Sequence, residues 1–174
     1  PQGLKASYYS TDDLSGAVSW ETIEKDSEKM WFGEIGPGVD PNHFSVRMQG
    51  VLIPEQSGSY DFSLVSAGVS RLFMNDQLLI DNWDKRQPGD AFFGAGSTEV
   101  IASIELQAGQ AYPITIEYSR MKAPMMGALR VGMFMPLSKN AIEHAAALAK
   151  QADVALVYVG TNGEWETEDE TDTP

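Results

Sequence analysis

Short runs in which apolar and polar residues alternate recur from Leu4 to about Met135, and this pattern restricts the fold more than any other feature. Residues 45–53 and 112–118 are the clearest examples. A period of two is typical of strands that place one face in a core and the other in solvent. Turn residues such as Gly58 and Asn75-Asp76 separate the runs. Many short strands joined by turns predict an antiparallel β-sandwich or barrel.

The alternating runs predict eight strands in this part of the chain. We expect them at residues 3–9, 44–53, 58–66, 69–74, 77–82, 99–106, 111–119 and 128–134. Residues 1–136 are therefore assigned to one mainly β domain, an antiparallel sandwich.

A different pattern begins after Pro136. Ser138 is a suitable N-cap for a helix that ends near Ala152, because the apolar residues in this segment recur at intervals of three or four. They are Ile142, Ala145, Ala146, Ala149 and Ala152. The apolar run at residues 154–159 follows directly and predicts a strand that is buried on both faces. We assign residues 137–174 to a short αβ unit of an α/β domain.

The charge of the chain excludes two classes of partner. Twelve basic and 25 acidic residues give a net charge of -13, so the chain repels nucleic-acid phosphates and anionic lipid heads. No apolar run approaches the ~20 residues that span a bilayer. We expect no nucleic acid and no membrane among the partners, and the composition leaves the compartment open.

Metal and nucleophile chemistry have few candidate residues. The chain has no cysteine, and its two histidines, His43 and His144, are far apart, which disfavours a zinc site and a Ser-His-Asp triad. The Asp12-Asp13 pair favours a solvated turn over a calcium site, because calcium takes six to eight oxygen ligands. We expect no metal and no cofactor.

The acidic residues after the strand predicted at residues 154–159 stand where catalytic groups collect in α/β domains. Ligands in such domains bind beyond the carboxyl ends of the strands. Trp165, Glu166 and Glu168 occupy this position, within a segment that holds six acids among residues 164–174. From the pattern alone, a solvated acidic tail is the alternative.

Two stretches resemble known families. Residues 46–54, 58–62 and 71–83 resemble the sandwich domain first recognised in anthrax protective antigen, and residues 138–168 resemble the α/β sandwich domain of glycoside hydrolase family 3. Some β-glucosidases of that family carry the first domain inserted into the second, in this order. The resemblance implies part of a retaining β-glucosidase that hydrolyses terminal non-reducing β-glycosidic bonds, with the sandwich shaping the active-site mouth.

The resemblance also implies a catalytic residue. The acid/base glutamate of the family corresponds by position to Glu168, and Glu166 is the alternative. A general acid needs a raised pKa, which burial or a neighbouring negative charge provides. The family's nucleophile is an aspartate in a separate barrel domain, which has no counterpart here. We therefore expect this chain to be inactive without the remainder of the parent enzyme.

Aromatic residues mark the expected substrate contacts. Residues 84–97 combine Phe92 and Phe93 with glycines and charges, and aromatic faces stack on sugar rings while polar groups fix hydroxyls. We expect Phe92, Phe93 and Trp165 to contact a β-glucoside or a short oligosaccharide. The alternative is that one phenylalanine belongs to the core and the other plugs the loop.

Two other functions remain open at this point. The chain is alternatively a non-catalytic carbohydrate-binding or adhesion module, or a structural insert that supports contacts in a homo-oligomer. The apolar run at residues 154–159 distinguishes them, since a free module has no reason to present an unpaired buried-type strand.

Overall fold

The computed structural model describes residues 3–123, 125–136 and 140–160. Two units divide the chain, Pro1–Pro136 and Leu137–Pro174. Within the described residues the first unit contains ten strands and the second contains one helix. The strands are β1 (Leu4–Tyr9), β2 (Trp20–Glu24), β3 (Glu28–Trp31), β4 (Ser45–Leu52), β5 (Gly58–Ala67), β6 (Val69–Met74), β7 (Gln77–Asn82), β8 (Val100–Leu106), β9 (Tyr112–Ser119) and β10 (Gly127–Phe134), and the helix is α1 (Ala141–Ala149).

The ten strands form two antiparallel sheets. The first sheet has the order β2-β1-β4-β9-β6-β7, and the second has the order β3-β10-β5-β8. The prediction of an antiparallel sandwich is confirmed. All eight predicted strands are present, with shifts of one residue at some ends. Strands β2 and β3 were not predicted.

The core between the sheets follows from the alternation. Along β4, Val46 and Met48 are buried while Arg47 and Gln49 point to the other side. Aromatic residues fill one end, where the rings of Trp31 and Tyr118 stack with centroids 4.6 Å apart. Tyr118 also donates its hydroxyl hydrogen to the carbonyl oxygen of Ala67 at 2.7 Å. This bond satisfies a buried polar group and fixes the turn between β5 and β6.

Strand β5 is buried on both faces near its end, which departs from simple alternation. Phe62 and Leu64 join the central core. Val65 and Ala67 belong instead to a second cluster with Phe92. Because successive side chains of a strand point to opposite faces, this cluster lies on the outer face of the second sheet. The segment between β7 and β8 therefore folds back over that face.

Helix α1 is shorter than the predicted helix at residues 138–152. Asn140 precedes it and makes no capping hydrogen bond with its side chain, and none of the helical residues is buried. The predicted cap, Ser138, lies outside the described residues. Within the described part of the chain, no helix is long and apolar enough to cross a membrane.

The prediction of a strand at residues 154–159 is wrong. Residues 154–160 form no regular secondary structure, and Val154, Tyr158 and Val159 are at least 77% exposed. A strand exists only when a neighbour accepts and donates its backbone hydrogen bonds. Among the described residues this run has no such neighbour, so apolar character alone does not produce a strand.

Candidate functional site

The structure describes two of the five predicted site residues. Phe92 and Phe93 lie in the segment of residues 83–99 that connects β7 to β8, called the β7–β8 loop below. Trp165, Glu166 and Glu168 lie outside the described residues. The site that can be built from the structure is therefore the β7–β8 loop.

The loop begins at a carboxylate that caps its first residues. One oxygen of Asp81, Oδ1, accepts hydrogen bonds from the backbone N–H of Trp83 at 3.1 Å and of Asp84 at 3.0 Å. Burial raises the pKa of the Asp81 carboxyl, but the backbone donors and the charge of Lys85 together outweigh burial, and the pKa lies below its ordinary value. The chain is thus held in a defined direction as it leaves β7.

The two limbs of the loop pair closely with each other. Gly89 donates its N–H to the carbonyl oxygen of Gly96 at 3.1 Å, and Thr98 donates to Gln87 at 2.9 Å. The approach is so close that a Cβ atom on Gly89 would lie 2.5 Å from the Thr98 nitrogen. Glycine is required there because no side-chain atom fits between the limbs.

A buried amide joins the returning limb to the sheets. Asn82 is fully buried, and its Nδ2 lies 3.0 Å from Ser66 Oγ, 3.2 Å from Ser70 Oγ and 2.9 Å from Ser97 Oγ. The backbone N–H of Ser97 donates to the Ser66 carbonyl oxygen at 2.9 Å. These contacts tie the end of the loop to β5, β6 and β7. The Nδ2 side of this buried network is fully used, whereas the buried Oδ1 of Asn82 accepts no hydrogen bond from the described residues.

A charged side chain braces the loop nearer its tip. The Nε of Arg86 donates to the carbonyl oxygen of Gly68 at 2.8 Å, and Nη2 donates to the carbonyl oxygen of Ala95 at 3.3 Å. Gly68 belongs to the turn between β5 and β6, and Ala95 follows the loop tip. One guanidinium therefore connects the tip to the sandwich.

The tip itself has an unusual backbone. Phe92, Phe93 and Gly94 have φ angles of 53°, 59° and 78°. Glycine adopts such left-handed angles freely, whereas bulky residues adopt them only at an energetic cost of about 1–2 kcal/mol each. Two adjacent phenylalanines in this conformation mark a strained turn, and strain of this kind occurs preferentially at functional sites.

The two phenylalanines point to opposite environments. Phe92 is 6% exposed and packs with Val65, Ala67 and Met126, with the Arg130 guanidinium carbon 5.4 Å from its ring centroid. Phe93 is 82% exposed. Phe92 therefore belongs to a packed cluster, as in the alternative that one ring is part of a core, and its burial leaves little of the ring for a substrate. Phe93 remains the candidate for substrate contact.

Two carboxylates elsewhere in the sandwich are bound by neighbouring side chains. Glu117 is buried, and its carboxylate accepts hydrogen bonds from Arg47 Nε at 2.8 Å and from Arg71 Nε at 2.5 Å. Asp13 accepts hydrogen bonds from Ser15, which lower the pKa of its carboxyl. In the described part of the chain no three histidine, aspartate or glutamate side chains converge where they could hold a metal ion.

The sandwich also contains an apolar cavity of about 530 Å³ between its sheets. Its lining includes Leu4 from β1, Phe62 from β5 and Met133 from β10, with Asp26 and Lys29 as the charged lining residues. Glycoside hydrolysis uses two carboxyl groups, and this lining supplies one. The cavity is therefore unsuited to that chemistry.

Sequence reasoning missed Asn82, Ser97 and Arg86. Asn82 carried a usable signal, because it occupies the same face of β7 as the core residue Ile80. A polar residue at an inward position predicts a buried hydrogen-bond network. Arg86 had no comparable signal, since it binds backbone carbonyl groups that any residue possesses.

The chain is similar to a known domain family and to beta-glucosidases that contain such a domain. The family model described as the PA14 domain matches residues 1–135. A protein of Rhizobium radiobacter named beta-glucosidase is 35% identical over 158 residues, which cover 88% of this chain and 19% of that protein. The chain thus spans about a fifth of the length of this relative.

Two solved structures extend the comparison. The crystal structure of beta-glucosidase from Kluyveromyces marxianus in complex with glucose matches with a TM-score of 0.84 and 33% identity, covering 95% of this chain and 20% of that one. The epithelial adhesin 6 A domain of Candida glabrata matches with a TM-score of 0.52 and 15% identity over 80% of this chain and 82% of that one. At that identity the adhesin shares the fold alone.

Proposed function

Residues 1–135 belong to the PA14 domain family, and we propose that the chain is part of a retaining β-glucosidase. The parent enzyme hydrolyses terminal non-reducing β-glycosidic bonds. A glycosidase is supported because the similarity to the Rhizobium radiobacter protein extends over 158 residues, beyond the PA14 match. Similarity that extends past the sandwich is not explained by the fold of the sandwich alone.

The β7–β8 loop shapes the active-site mouth in this proposal, and Phe93 contacts the substrate there. This role is supported by the ring of Phe93, which is 82% exposed although its backbone has a left-handed φ angle. Neither burial nor local geometry favours phenylalanine at this position, since glycine would fit the backbone better. A flat apolar ring exposed to solvent is suited to stack on a sugar ring. Phe92 anchors the loop tip through its packing on the outer face of the second sheet.

Glu168 is the acid/base residue in the proposed mechanism, with Glu166 as the alternative and Trp165 as a further substrate contact. Retaining hydrolysis uses two carboxyl groups about 5 Å apart. One attacks the anomeric carbon, and the other protonates the leaving oxygen and later activates water. The nucleophile belongs to the remainder of the parent enzyme, so the chain alone is expected to be inactive.

The test uses the complete reading frame that contains this chain. The protein is expected to hydrolyse cellobiose and 4-nitrophenyl β-glucoside, and proton NMR should show the β-anomer of glucose as the first product. Release of the α-anomer contradicts retention. Binding of oligosaccharides without any hydrolysis contradicts the enzyme and favours the carbohydrate-binding module.

Two matched variants test the acid/base assignment. Glu168→Gln should slow hydrolysis of cellobiose far more than reaction of the 4-nitrophenyl substrate, because a poor leaving group needs protonation. Added azide should restore turnover of the activated substrate, since a small anion attacks the glycosyl-enzyme without a base. If Glu166→Gln gives this pattern and Glu168→Gln does not, the role belongs to Glu166.

A further inference from the structure

We infer that Arg86 is a positioning residue that holds Phe93 in its outward conformation and thereby sets the affinity of the enzyme for its substrate. The inference rests on the proposed function, because it assumes that Phe93 contacts the sugar. It adds a residue that makes no contact with the substrate itself. Arg86 acts instead through the backbone of the loop tip.

The contacts of Arg86 fit this role. Its guanidinium spans two backbone carbonyl oxygens, that of Gly68 at 2.8 Å and that of Ala95 at 3.3 Å. Ala95 is buried and lies two residues after Phe93. Hydrogen bonds from a charged donor are about twice as strong as those between neutral groups. The brace therefore connects the strained tip to a turn that Tyr118 already fixes through the carbonyl oxygen of Ala67.

The tip needs such a brace because its backbone is strained. Phe92 and Phe93 have positive φ angles, and bulky residues leave that region unless surrounding contacts hold them. Burial of Phe92 holds the first of them. On the C-terminal side, Gly94 donates its N–H to Asp90 and Gly96 donates to Ala91, both within the tip. Arg86 adds a polar connection from this turn to the sandwich, beside the apolar packing of Phe92 and Ala95.

Lysine cannot replace arginine in this geometry. Guanidinium presents several donors in a fixed planar fork, whereas ammonium is a compact group on a flexible stem. Lysine at position 86 keeps the charge but cannot span the two carbonyl groups in the same way. The Phe93 ring then samples several orientations, and the substrate must select the productive one. That selection weakens binding in proportion to the population of the competent state.

The experiment is a double-mutant cycle in the complete enzyme. Arg86→Lys should raise KM for cellobiose about fivefold, the factor expected for loss of one modest interaction, with kcat nearly unchanged. Phe93→Ala should raise KM by a similar factor. In the Phe93→Ala background, Arg86→Lys should have no further effect, because two residues that act through one contact are not additive. Lys85→Ala is the matched control, since Lys85 is 82% exposed and its ion pair is with Asp81, 4.0 Å away at the start of the loop and not at its tip.

A second measurement tests the rigidity of the loop tip without a sugar substrate. Chymotrypsin cleaves after exposed phenylalanines, and a rigid tip resists it. Arg86→Lys in the present chain should speed cleavage after Phe93 about fivefold or more, while circular dichroism confirms that the sandwich is folded. Lys85→Ala should leave the cleavage rate unchanged.

The outcomes separate the inference from the proposed function. If Phe93→Ala leaves KM unchanged while the enzyme hydrolyses cellobiose, the proposed Phe93 contact and the inference on Arg86 are both overturned, and the proposed glycosidase activity stands. If Phe93→Ala raises KM while Arg86→Lys does not, or if the two effects multiply, Arg86 is not a positioning residue and the proposed contact survives. An unchanged rate of cleavage after Phe93 in Arg86→Lys also overturns the inference.

Discussion

Replacing Phe93 by glycine should give a more stable chain than replacing it by alanine, which inverts the usual order of these residues. Both substitutions remove the ring. Phe93 has a left-handed φ angle of 59°. Alanine at this position is strained in the same way, whereas glycine adopts that angle without strain. The comparison therefore isolates the backbone strain from the contacts of the side chain.

The contacts of the ring set the cost that both variants share. Phe93 is 82% exposed, so about 18% of a surface of roughly 200 Å² is covered by protein. At about 25 cal/mol per Å², uncovering that area removes about 0.9 kcal/mol. Phe93→Ala should therefore lower the free energy of unfolding by about 1 kcal/mol.

The backbone term then decides between the two variants. Relief of left-handed strain contributes about 1–2 kcal/mol, and the extra freedom of glycine in the unfolded chain costs about 0.5–1 kcal/mol. Phe93→Gly should thus exceed Phe93→Ala in stability by about 0.5–1 kcal/mol. At Phe134, which lies in β10 and is 47% exposed, the same pair should show glycine below alanine by about 0.5–1 kcal/mol.

Urea unfolding of the present chain, followed by tryptophan fluorescence, measures these differences. The slopes of the four variants should agree, so that shifts of the midpoint report stability alone. The order at position 93 should be opposite to that at position 134. If glycine is less stable than alanine at both positions by the same amount, Phe93 carries no strain, and the reasoning that assigns it a function from strain fails.

Three further predictions concern the supports of the fold and the loop. Glu117→Gln should lower the free energy of unfolding by about 2 kcal/mol, because Arg47 and Arg71 lose the buried charge they share; a loss below about 0.5 kcal/mol in urea contradicts this. Asn82→Ala should cost about 2–3 kcal/mol, since it removes the amide hydrogen bonds that join Ser66, Ser70 and Ser97 at a fully buried site; thermal unfolding indistinguishable from the wild type contradicts it. The folded pKa of Asp81 lies below its ordinary value of 3.8, so its stabilisation is complete above that value and is lost as the pH falls through the folded pKa. The stability difference between the wild type and Asp81→Ala should shrink accordingly in acid titrations, and a difference that is constant with pH contradicts the assignment.

The strands could be predicted where alternation reports burial directly. Strands such as β6 and β7 were predicted with their observed bounds because both ends coincide with turn residues. The missed strands, β2 and β3, are edge strands. Their short sequences are rich in charge and partly exposed, so the neighbouring strand determines their structure. A local pattern does not contain that information.

The site was predictable in its composition but not in its geometry. Two aromatic residues in a glycine-rich loop indicated a contact surface, yet both were expected to face the substrate. Phe92 is buried because Val65 and Met126, which are distant in sequence, form a cluster on the outer face of the second sheet. The run at residues 154–159 illustrates the same limit, since apolar residues form a strand only where a partner strand is present.

A crystal structure of the complete protein with an uncleaved cellobiose analogue would show whether Phe93 contacts the sugar. Ring atoms of Phe93 should lie within about 4.5 Å of the ligand, at the sugar that leaves during hydrolysis. Electron density that shows Phe93 facing solvent, with the ligand bound away from the β7–β8 loop, would exclude the proposed contact.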